Sequence, residues 1–291
     1  MNLHPTRRGI ALTALASLLF GVNGAVAADL LQAMPAGNTA QIRSVLAALI
    51  LGAIAYRQRA THHRGQLPAL AGLGLCLAAV TVSFFIAISR LGVGPGVTIQ
   101  FSGPVLVLGW LRWRRRHPVP TSAWWAAGTA LLGVAMVSRI WDADGLDPIG
   151  LAAAGVAAVT FAAYLLGSGF LGRTLPTITI AAYGFAFSAL LLLVVFPVVL
   201  PPGRPVVLIE LGWLVLLGTV VPFLLEVAAL RLAGAGTVGV VATLEPVVAA
   251  AAAWVWLGQQ LIPVQIAGSL IVVGAIAVVQ RFTGAEPTPV G

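Results

Sequence analysis

The sequence predicts an all-α integral membrane protein with ten transmembrane helices, arranged as two inverted five-helix repeats. Of the 291 residues, 59% are hydrophobic and 8% are charged, whereas an average soluble domain has about 25% charged residues. The apolar residues fall into runs long enough to cross a bilayer, and one sequence motif occurs twice. Ten spans of about 20 residues take about 200 residues, which leaves no room for a water-soluble domain.

Charged residues, prolines and glycines delimit the apolar runs and so mark the predicted spans. In the first half of the chain the spans cover residues 9–28, 38–56, 68–89, 95–111 and 122–137. In the second half they cover residues 148–167, 176–199, 208–230, 236–257 and 263–280. The first run follows Thr6-Arg7-Arg8, a pattern also found in secretory signals. Because this run is long enough to span hydrocarbon, we expect an uncleaved helix.

The distribution of arginine predicts the orientation in the membrane. All 16 cationic side chains are arginines and the net charge is +8. If the amino terminus is cytoplasmic, twelve arginines lie inside, three lie outside, and Arg43 lies within the second span. This satisfies the positive-inside rule with both termini in the cytoplasm of a bacterium and the chain in its inner membrane. The basic charge therefore indicates orientation in a lipid bilayer, and we expect no nucleic-acid partner.

Two segments of the sequence are similar to each other. The stretch from Arg90 aligns with the stretch from Arg231 if one residue is inserted, and Pro104 then matches Pro246. We therefore divide the chain into a first half (1–145), a second half (146–282) and a tail (283–291). A repeat of five spans is odd, so the second copy enters the membrane from the opposite face. Inverted repeats are typical of secondary transporters that work by alternating access.

The chain also resembles a known family in several stretches. They are Leu19-Phe20-Gly21-Val22-Asn23, Ile42-Arg43, P-V-L-V-L-G-W-L from Pro104, E-P-V-V-A-A-A-A-A-W-V-W-L-G from Glu245 and I-A-G-S-L-I-V-V-G-A-I-A-V from Ile266. These stretches are similar to the EamA domain of the drug/metabolite transporter superfamily, present here as two copies. The resemblance implies a ten-helix exporter of amino acids and other metabolites. Within the family, the sequence resembles the bacterial aromatic amino acid exporters. The family commonly has Gly-Glu after the ninth helix, where this chain has Gly258-Gln259-Gln260, so no role of that glutamate is expected.

Three ionisable residues lie well inside predicted spans, namely Arg43, Glu226 and Glu245. A charged side chain at the bilayer centre costs about 2.5–3.5 kcal/mol on insertion scales, which makes each of them a candidate for function. Both acids belong to the second half, and Glu245 lies about halfway along the ninth span. They suit a substrate with an ammonium group or a proton-coupled site. Arg43 either binds a carboxylate or has a structural role, with its guanidinium extended toward the outer interface.

Neutral residues complete the predicted site. Asn23 and Gln100 either bind a substrate carboxylate or hydrogen-bond neighbouring helices, and aromatic residues, including Phe161, either line a pocket or pack against helices and lipid. The predicted substrate-binding residues are Asn23, Phe84, Phe85, Gln100, Tyr164, Glu226 and Glu245. The predicted helix kinks and hinges are Pro104, Pro246, Gly94, Gly96 and Gly236.

The remaining residues exclude other classes of function. Every histidine and aspartate lies outside the apolar cores, so an intramembrane enzyme lacks a catalytic base. The single cysteine, Cys76, provides neither a disulfide framework nor a multi-cysteine metal site, and we expect no cofactor or metal. We predict a monomeric exporter of amino acids, aromatic and other neutral ones included, and of related small metabolites. The alternative is a proton-coupled exporter of drugs or organic cations with the same fold, and a passive channel or scaffold is a third class.

Overall fold

A computed structural model describes residues 5–60, 64–91, 93–114, 116, 118–142, 147–257 and 260–283. Within these ranges the chain forms twelve α-helices and no β-strand. The helices of the first half are α1 (Pro5–Ala33), α2 (Ala36–Arg57), α3 (Leu67–Leu91), α4 (Val93–Gln100), α5 (Gly103–Gly109) and α6 (Thr121–Val137). Those of the second half are α7 (Pro148–Leu171), α8 (Thr177–Val195), α9 (Pro205–Val215), α10 (Val221–Ala242), α11 (Leu244–Leu257) and α12 (Pro263–Thr283). Two π-helical turns, Trp110–Arg114 and Leu216–Val220, continue α5 and join α9 to α10.

Six helical segments in the described part of the chain are long and apolar enough to cross a membrane. They are α1, α2, α3, α7, α8 and the continuous segment Pro205–Ala242 that comprises α9, the π-helical turn and α10. Two further helical segments are apolar but shorter, namely α6 and the part of α12 from Pro263 to Val279. The described part of the chain is therefore all-helical, with helices suited to cross a membrane, as the composition predicts.

The predicted fourth and ninth spans are both interrupted near their middle. The first interruption lies at Phe101 and Ser102, between α4 and α5, and the second lies at Thr243, between α10 and α11. At each break a hydroxyl group accepts no partner from another helix but donates to its own backbone. Ser102 Oγ donates to the carbonyl of Ile99 at 2.6 Å, and Thr243 Oγ1 donates to the carbonyl of Val240 at 2.6 Å. Each of these carbonyls also accepts a backbone N–H, from Ser102 at 3.1 Å and from Thr243 at 3.2 Å, so the hydroxyl and the amide of the break residue bind the same carbonyl.

The predicted boundary between the eighth and ninth spans was wrong in detail. We expected a loop between residues 230 and 236, but helical hydrogen bonding continues from Val221 to Ala242. Gly234 is the one residue inside α10 with non-helical dihedrals, at φ 74° and ψ 160°. Glycine tolerates this left-handed region without a Cβ clash, so a sharp bend replaces the loop.

The helices pack in pairs that correspond between the two halves. α1 packs against α10 and α11, and its counterpart α7 packs against α3, α4 and α5. α2 packs against α8, and α6 packs against α12, so that each helix of these two pairs contacts its own counterpart. The contacts of α1, α2 and α6 named here therefore correspond to those of α7, α8 and α12.

Two glycines bring the backbones of α6 and α12 into direct contact. A Cβ atom on Gly133 would lie 2.8 Å from the carbonyl oxygen of Gly268, and a Cβ on Gly268 would lie 2.7 Å from the carbonyl oxygen of Gly133. We expect Gly133→Ala and Gly268→Ala each to destabilise the protein by about 1–3 kcal/mol through overpacking, measured as a lower midpoint of thermal unfolding in detergent. Gly128→Ala and Gly274→Ala are matched controls on the same helices, since a Cβ at either position meets nothing within 4 Å. Equal midpoints for all four variants would contradict this packing.

The first turn of α7 is capped by an aspartate outside the membrane-spanning segments. Asp147 Oδ1 accepts a hydrogen bond from the backbone N–H of Gly150 at 2.8 Å, and Oδ2 lies 3.3 Å from Arg90 Nη1. The hydrogen bond from Gly150, together with the Arg90 charge, lowers the pKa of Asp147 below its ordinary value of 3.8.

Because this pKa is lowered on folding, the ionised Asp147 stabilises the protein above pH 3.8 and loses this effect as the pH falls through the lowered pKa. We expect Asp147→Ala to lower the unfolding midpoint at neutral pH, and the difference from the parent protein to shrink as acid is added. Unfolding scans across this pH range check the prediction, which fails if the difference does not depend on pH.

Candidate functional site

A small cavity lies where the two interrupted helices meet α1, α2, α3 and α7. Its volume is about 140 Å³, and we call it the central cavity. All seven predicted substrate-binding residues and Arg43 line it, namely Asn23, Arg43, Phe84, Phe85, Gln100, Tyr164, Glu226 and Glu245. The structure thus brings together residues that lie up to 222 positions apart in the sequence. Their binding roles stay predictions.

The two acids enter the central cavity from neighbouring helices. Glu226 on α10 is 4% exposed and Tyr164 on α7 is 2% exposed, and both line the central cavity. Glu245 lies in the first turn of α11, directly after the break at Thr243 and close to the middle of the predicted ninth span. Both acidic side chains line the central cavity. The break therefore places an acid at the amino-terminal end of a half-helix, where the helix dipole favours negative charge.

Arg43 points into the protein, which contradicts the interpretation that it extends to the outer interface. The residue is 9% exposed, and its Nη2 donates to Thr81 Oγ1 at 2.7 Å. Its guanidinium carbon lies 5.9 Å from the centre of the Phe223 ring, within reach of a cation–π interaction. Its Nε atom has no acceptor among the described protein groups. Arg43 thus has a structural contact and still offers one buried donor to the cavity.

The two amides are buried and keep free acceptors. Asn23 is 7% exposed and Gln100 is 9% exposed, and neither the Oδ1 of Asn23 nor the Oε1 of Gln100 has a donor within the described protein. Asn23 fits against Gly218 in the π-helical turn so closely that a Cβ at that glycine would overlap the amide group. Helix-to-helix hydrogen bonds therefore do not account for these two oxygens.

Buried polar atoms without a partner are concentrated at this site. Among the described residues, seven buried side-chain nitrogen or oxygen atoms lack a hydrogen-bond partner in the protein. Four of the seven belong to residues that line the central cavity, namely Asn23 Oδ1, Arg43 Nε, Gln100 Oε1 and the Tyr164 hydroxyl. Because buried polar groups are normally paired, this arrangement suits a polar ligand with both donors and acceptors.

Aromatic rings form the apolar wall of the central cavity. Phe223 makes edge-to-face contacts with Phe20 at 5.2 Å, Phe185 at 5.0 Å and Tyr164 at 5.7 Å between ring centres. Sequence analysis did not identify Phe20 and Phe223. Each lies three residues before a predicted binding residue, Asn23 and Glu226 respectively, and this helical spacing is a signal that could have found them.

The predicted hinge glycines mostly serve close packing. Gly94 and Gly96 lie inside α4, where a Cβ on Gly94 would overlap the carbonyl of Ser138 and one on Gly96 would lie 3.3 Å from the backbone nitrogen of Ile88. A Cβ on Gly236 would lie 3.2 Å from Leu108. The non-helical glycine of this region is Gly234. Pro104 and Pro246 each follow a helix break within three residues, and the hinge roles stay predictions.

Comparisons with known proteins agree with this architecture. The model of the EamA-like transporter family matches residues 7–139 and again residues 148–281. The threonine/homoserine exporter RhtA of Escherichia coli (strain K12) is 29% identical over 272 residues, which cover 92% of this chain and 87% of that protein. RhtA of Salmonella typhimurium (strain LT2) is 26% identical over 277 residues, covering 91% of this chain and 88% of that protein. An uncharacterized transporter of Bacillus subtilis, YwfM, is 29% identical over 119 residues, or 40% of each chain.

A solved crystal structure shows the same fold. It superposes with a TM-score of 0.79 and 16% sequence identity, over 94% of this chain and 97% of that one. The two family matches coincide with the two halves of the sequence repeat, and the family consists of membrane transporters and not of enzymes. The chain therefore belongs to the EamA-like transporter family.

Proposed function

We propose that the protein is a secondary transporter that exports small amino acids across a bacterial inner membrane by alternating access. The chain crosses the membrane ten times, with both termini in the cytoplasm, and residues 1–145 and 146–282 form inverted halves. The two matches to one family model and the correspondence of helix contacts support the repeat. The four crossings beyond the six long segments consist of α4 with α5, α6, the last turns of α10 with α11, and α12.

The polar composition of the central cavity is the observation that carries this proposal. Arg43 supplies a buried donor from the first half, whereas Glu226 and Glu245 supply acceptors from the second. An amino acid has a carboxylate and an ammonium group on the same carbon, so it pairs with both signs of charge at once. We assign its carboxylate to Arg43 and its ammonium group to the two glutamates.

The size of the central cavity favours a small amino acid. Its 140 Å³ is close to the roughly 150 Å³ of an engineered cavity that binds benzene. The similar proteins from Escherichia coli and Salmonella typhimurium are named threonine/homoserine exporters, and both of those amino acids have a short side chain with a hydroxyl group. The unpaired oxygens of Asn23 and Gln100 are acceptors for such a hydroxyl. Aromatic amino acids stay a prediction, since the cavity would have to widen to hold an indole.

Counterflow in proteoliposomes tests the proposal. Vesicles loaded with unlabelled threonine are diluted into labelled threonine, homoserine, phenylalanine or tryptophan, and protein-free vesicles serve as the control. We expect saturable uptake of threonine and homoserine that depends on the unlabelled amino acid inside. Flux that neither saturates nor responds to internal substrate would indicate a channel. No uptake of any amino acid would contradict the proposed substrate class.

Proton-coupled export of organic cations is the second candidate. It is favoured by the presence of two carboxyls and a single arginine among the described residues that line the cavity, since a carboxyl can hold either a proton or a cation. The same vesicles with an imposed pH gradient and a lipophilic cation, tetraphenylphosphonium, distinguish the two. Proton-driven movement of this cation, without exchange of threonine, would establish the alternative.

A further inference from the structure

A second and larger cavity opens at the end of the protein that we predict to be cytoplasmic. Its volume is about 660 Å³, and it lies between the end of α5, the start of α6, the end of α7 and the bend of α10. We call it the arginine cleft because Arg173 and Arg231 line it and no carboxylate among the described residues does. Sequence analysis gave these arginines only a role in orientation.

The arginine cleft continues the central cavity along two helices. On α7, Tyr164 lines the central cavity and Gly169 lines the cleft, and Arg173, which also lines the cleft, follows two residues after the end of α7. On α10, Glu226 lines the central cavity and Arg231 lines the cleft. Two of the apolar side chains that line the cleft, Leu108 at 4% and Leu230 at 2% exposure, are buried.

The charge of Arg231 is balanced differently from that of its counterpart in the sequence repeat. Its counterpart in the first half, Arg90, is neutralised by Asp147 at 3.3 Å. Arg231 instead donates to the neutral hydroxyl of Thr177 at 3.3 Å, and its aliphatic stem lies beside Gly172. No ion pair of Arg231 or Arg173 is found within the part of the chain that the structure describes. Two arginines without an acidic partner, in a cavity of this size, provide an anion-binding surface.

We propose that the arginine cleft binds the carboxylate of an amino acid before it enters the central cavity. Arg173 and Arg231 hold the carboxylate, and the apolar lining accommodates the side chain. The inference rests on the proposed function, because it takes the occupant to be the transported amino acid. The phosphate of an anionic lipid has the same charge and is the competing occupant that the experiment must separate.

Alkylation of a cysteine in the cleft measures its occupancy. Thr237 lines the cleft, so Thr237→Cys in a Cys76→Ala background places one thiol there. The protein is reconstituted in nanodiscs of phosphatidylcholine and treated with a maleimide. We expect threonine to slow the alkylation, and threoninamide, which lacks the carboxylate, to have no effect. Adding Arg231→Gln or Arg173→Gln should abolish the protection, whereas Arg57→Gln, an exposed arginine at the end of α2 and outside the cleft, should preserve it.

Transport provides the second measurement. We expect Arg231→Gln and Arg173→Gln to raise the KM of threonine exchange about tenfold with little change in kcat, and Arg57→Gln to leave both unchanged. Protection that follows the phosphatidylglycerol content of the nanodisc and not threonine would assign the cleft to lipid and overturn the proposal. Wild-type exchange with an unchanged KM in both arginine variants would also overturn it. Absence of amino acid exchange in the wild type would instead contradict the proposed function itself.

Discussion

Glu226→Gln and Glu245→Gln are expected to reduce threonine exchange by about 10- to 100-fold each. A hydrogen bond to a charged group contributes about 1.5–3 kcal/mol, and every 1.4 kcal/mol corresponds to about tenfold in affinity. Glutamine keeps the size of the side chain and removes the negative charge, which we propose binds the ammonium group of the substrate. The measurement is the rate of counterflow over a range of threonine concentrations, with the amount of folded protein checked by gel filtration.

Glu210→Gln is the matched control for the two acids. Glu210 lies on α9, is partly exposed and does not line the central cavity, so its variant should exchange threonine at the wild-type rate. If all three variants behave alike, the assignment of Glu226 and Glu245 to the substrate is wrong. If the two cavity variants lose only the response to a pH gradient, the acids carry protons and the organic-cation alternative gains support.

Gly218→Ala is expected to lower the apparent affinity for threonine about tenfold and to destabilise the protein by about 1–3 kcal/mol. The added methyl group would overlap the amide of Asn23, so either the side chain leaves its position in the central cavity or the π-helical turn moves. Gly212→Ala is the control, because a Cβ there meets nothing within 4 Å. Counterflow and thermal unfolding are measured on the same preparations.

The double variant Gly218→Ala with Asn23→Ala separates packing from binding. Removing the amide removes the overlap, so we expect the unfolding midpoint to recover. The affinity should stay low, because the Asn23 oxygen is then absent. Recovery of both the unfolding midpoint and the affinity would show that Asn23 has no part in binding. If neither recovers, the methyl group at residue 218 overlaps with a group other than the Asn23 amide.

The sequence was sufficient to predict which residues would meet at the central cavity. Glu226 and Glu245 are polar in runs where polarity is costly, and the match of Pro104 with Pro246 indicated equivalent positions in two halves. The all-helical membrane fold followed from the length of the apolar runs. These inferences use local composition and spacing, which one sequence records directly.

The parts that sequence reasoning missed depend on contacts between distant segments. Nothing near Arg43 shows that Thr81 and Phe223 would hold it inside the protein instead of at the interface. Gly218 gives no sign of its contact with Asn23, since glycine is frequent in membrane helices. A bend at Gly234 stands in place of the predicted loop, because only this residue has non-helical dihedrals and the chain is helical before and after it. The residues of the arginine cleft come from separate segments, and none of them has a sequence feature that predicts a cavity.

The reciprocal contact of Gly133 and Gly268 has a consequence for how the protein can be studied. Each glycine faces the carbonyl of the other, which is the relation expected of two points beside a two-fold axis. When two inverted halves exchange conformations, sites on the axis keep the same neighbours while sites far from it change theirs. Under the alternating access that we propose, reporter groups at the outer faces of α6 and α12 would define a fixed frame, against which a displacement of α1, α3, α7 and α10 can be measured.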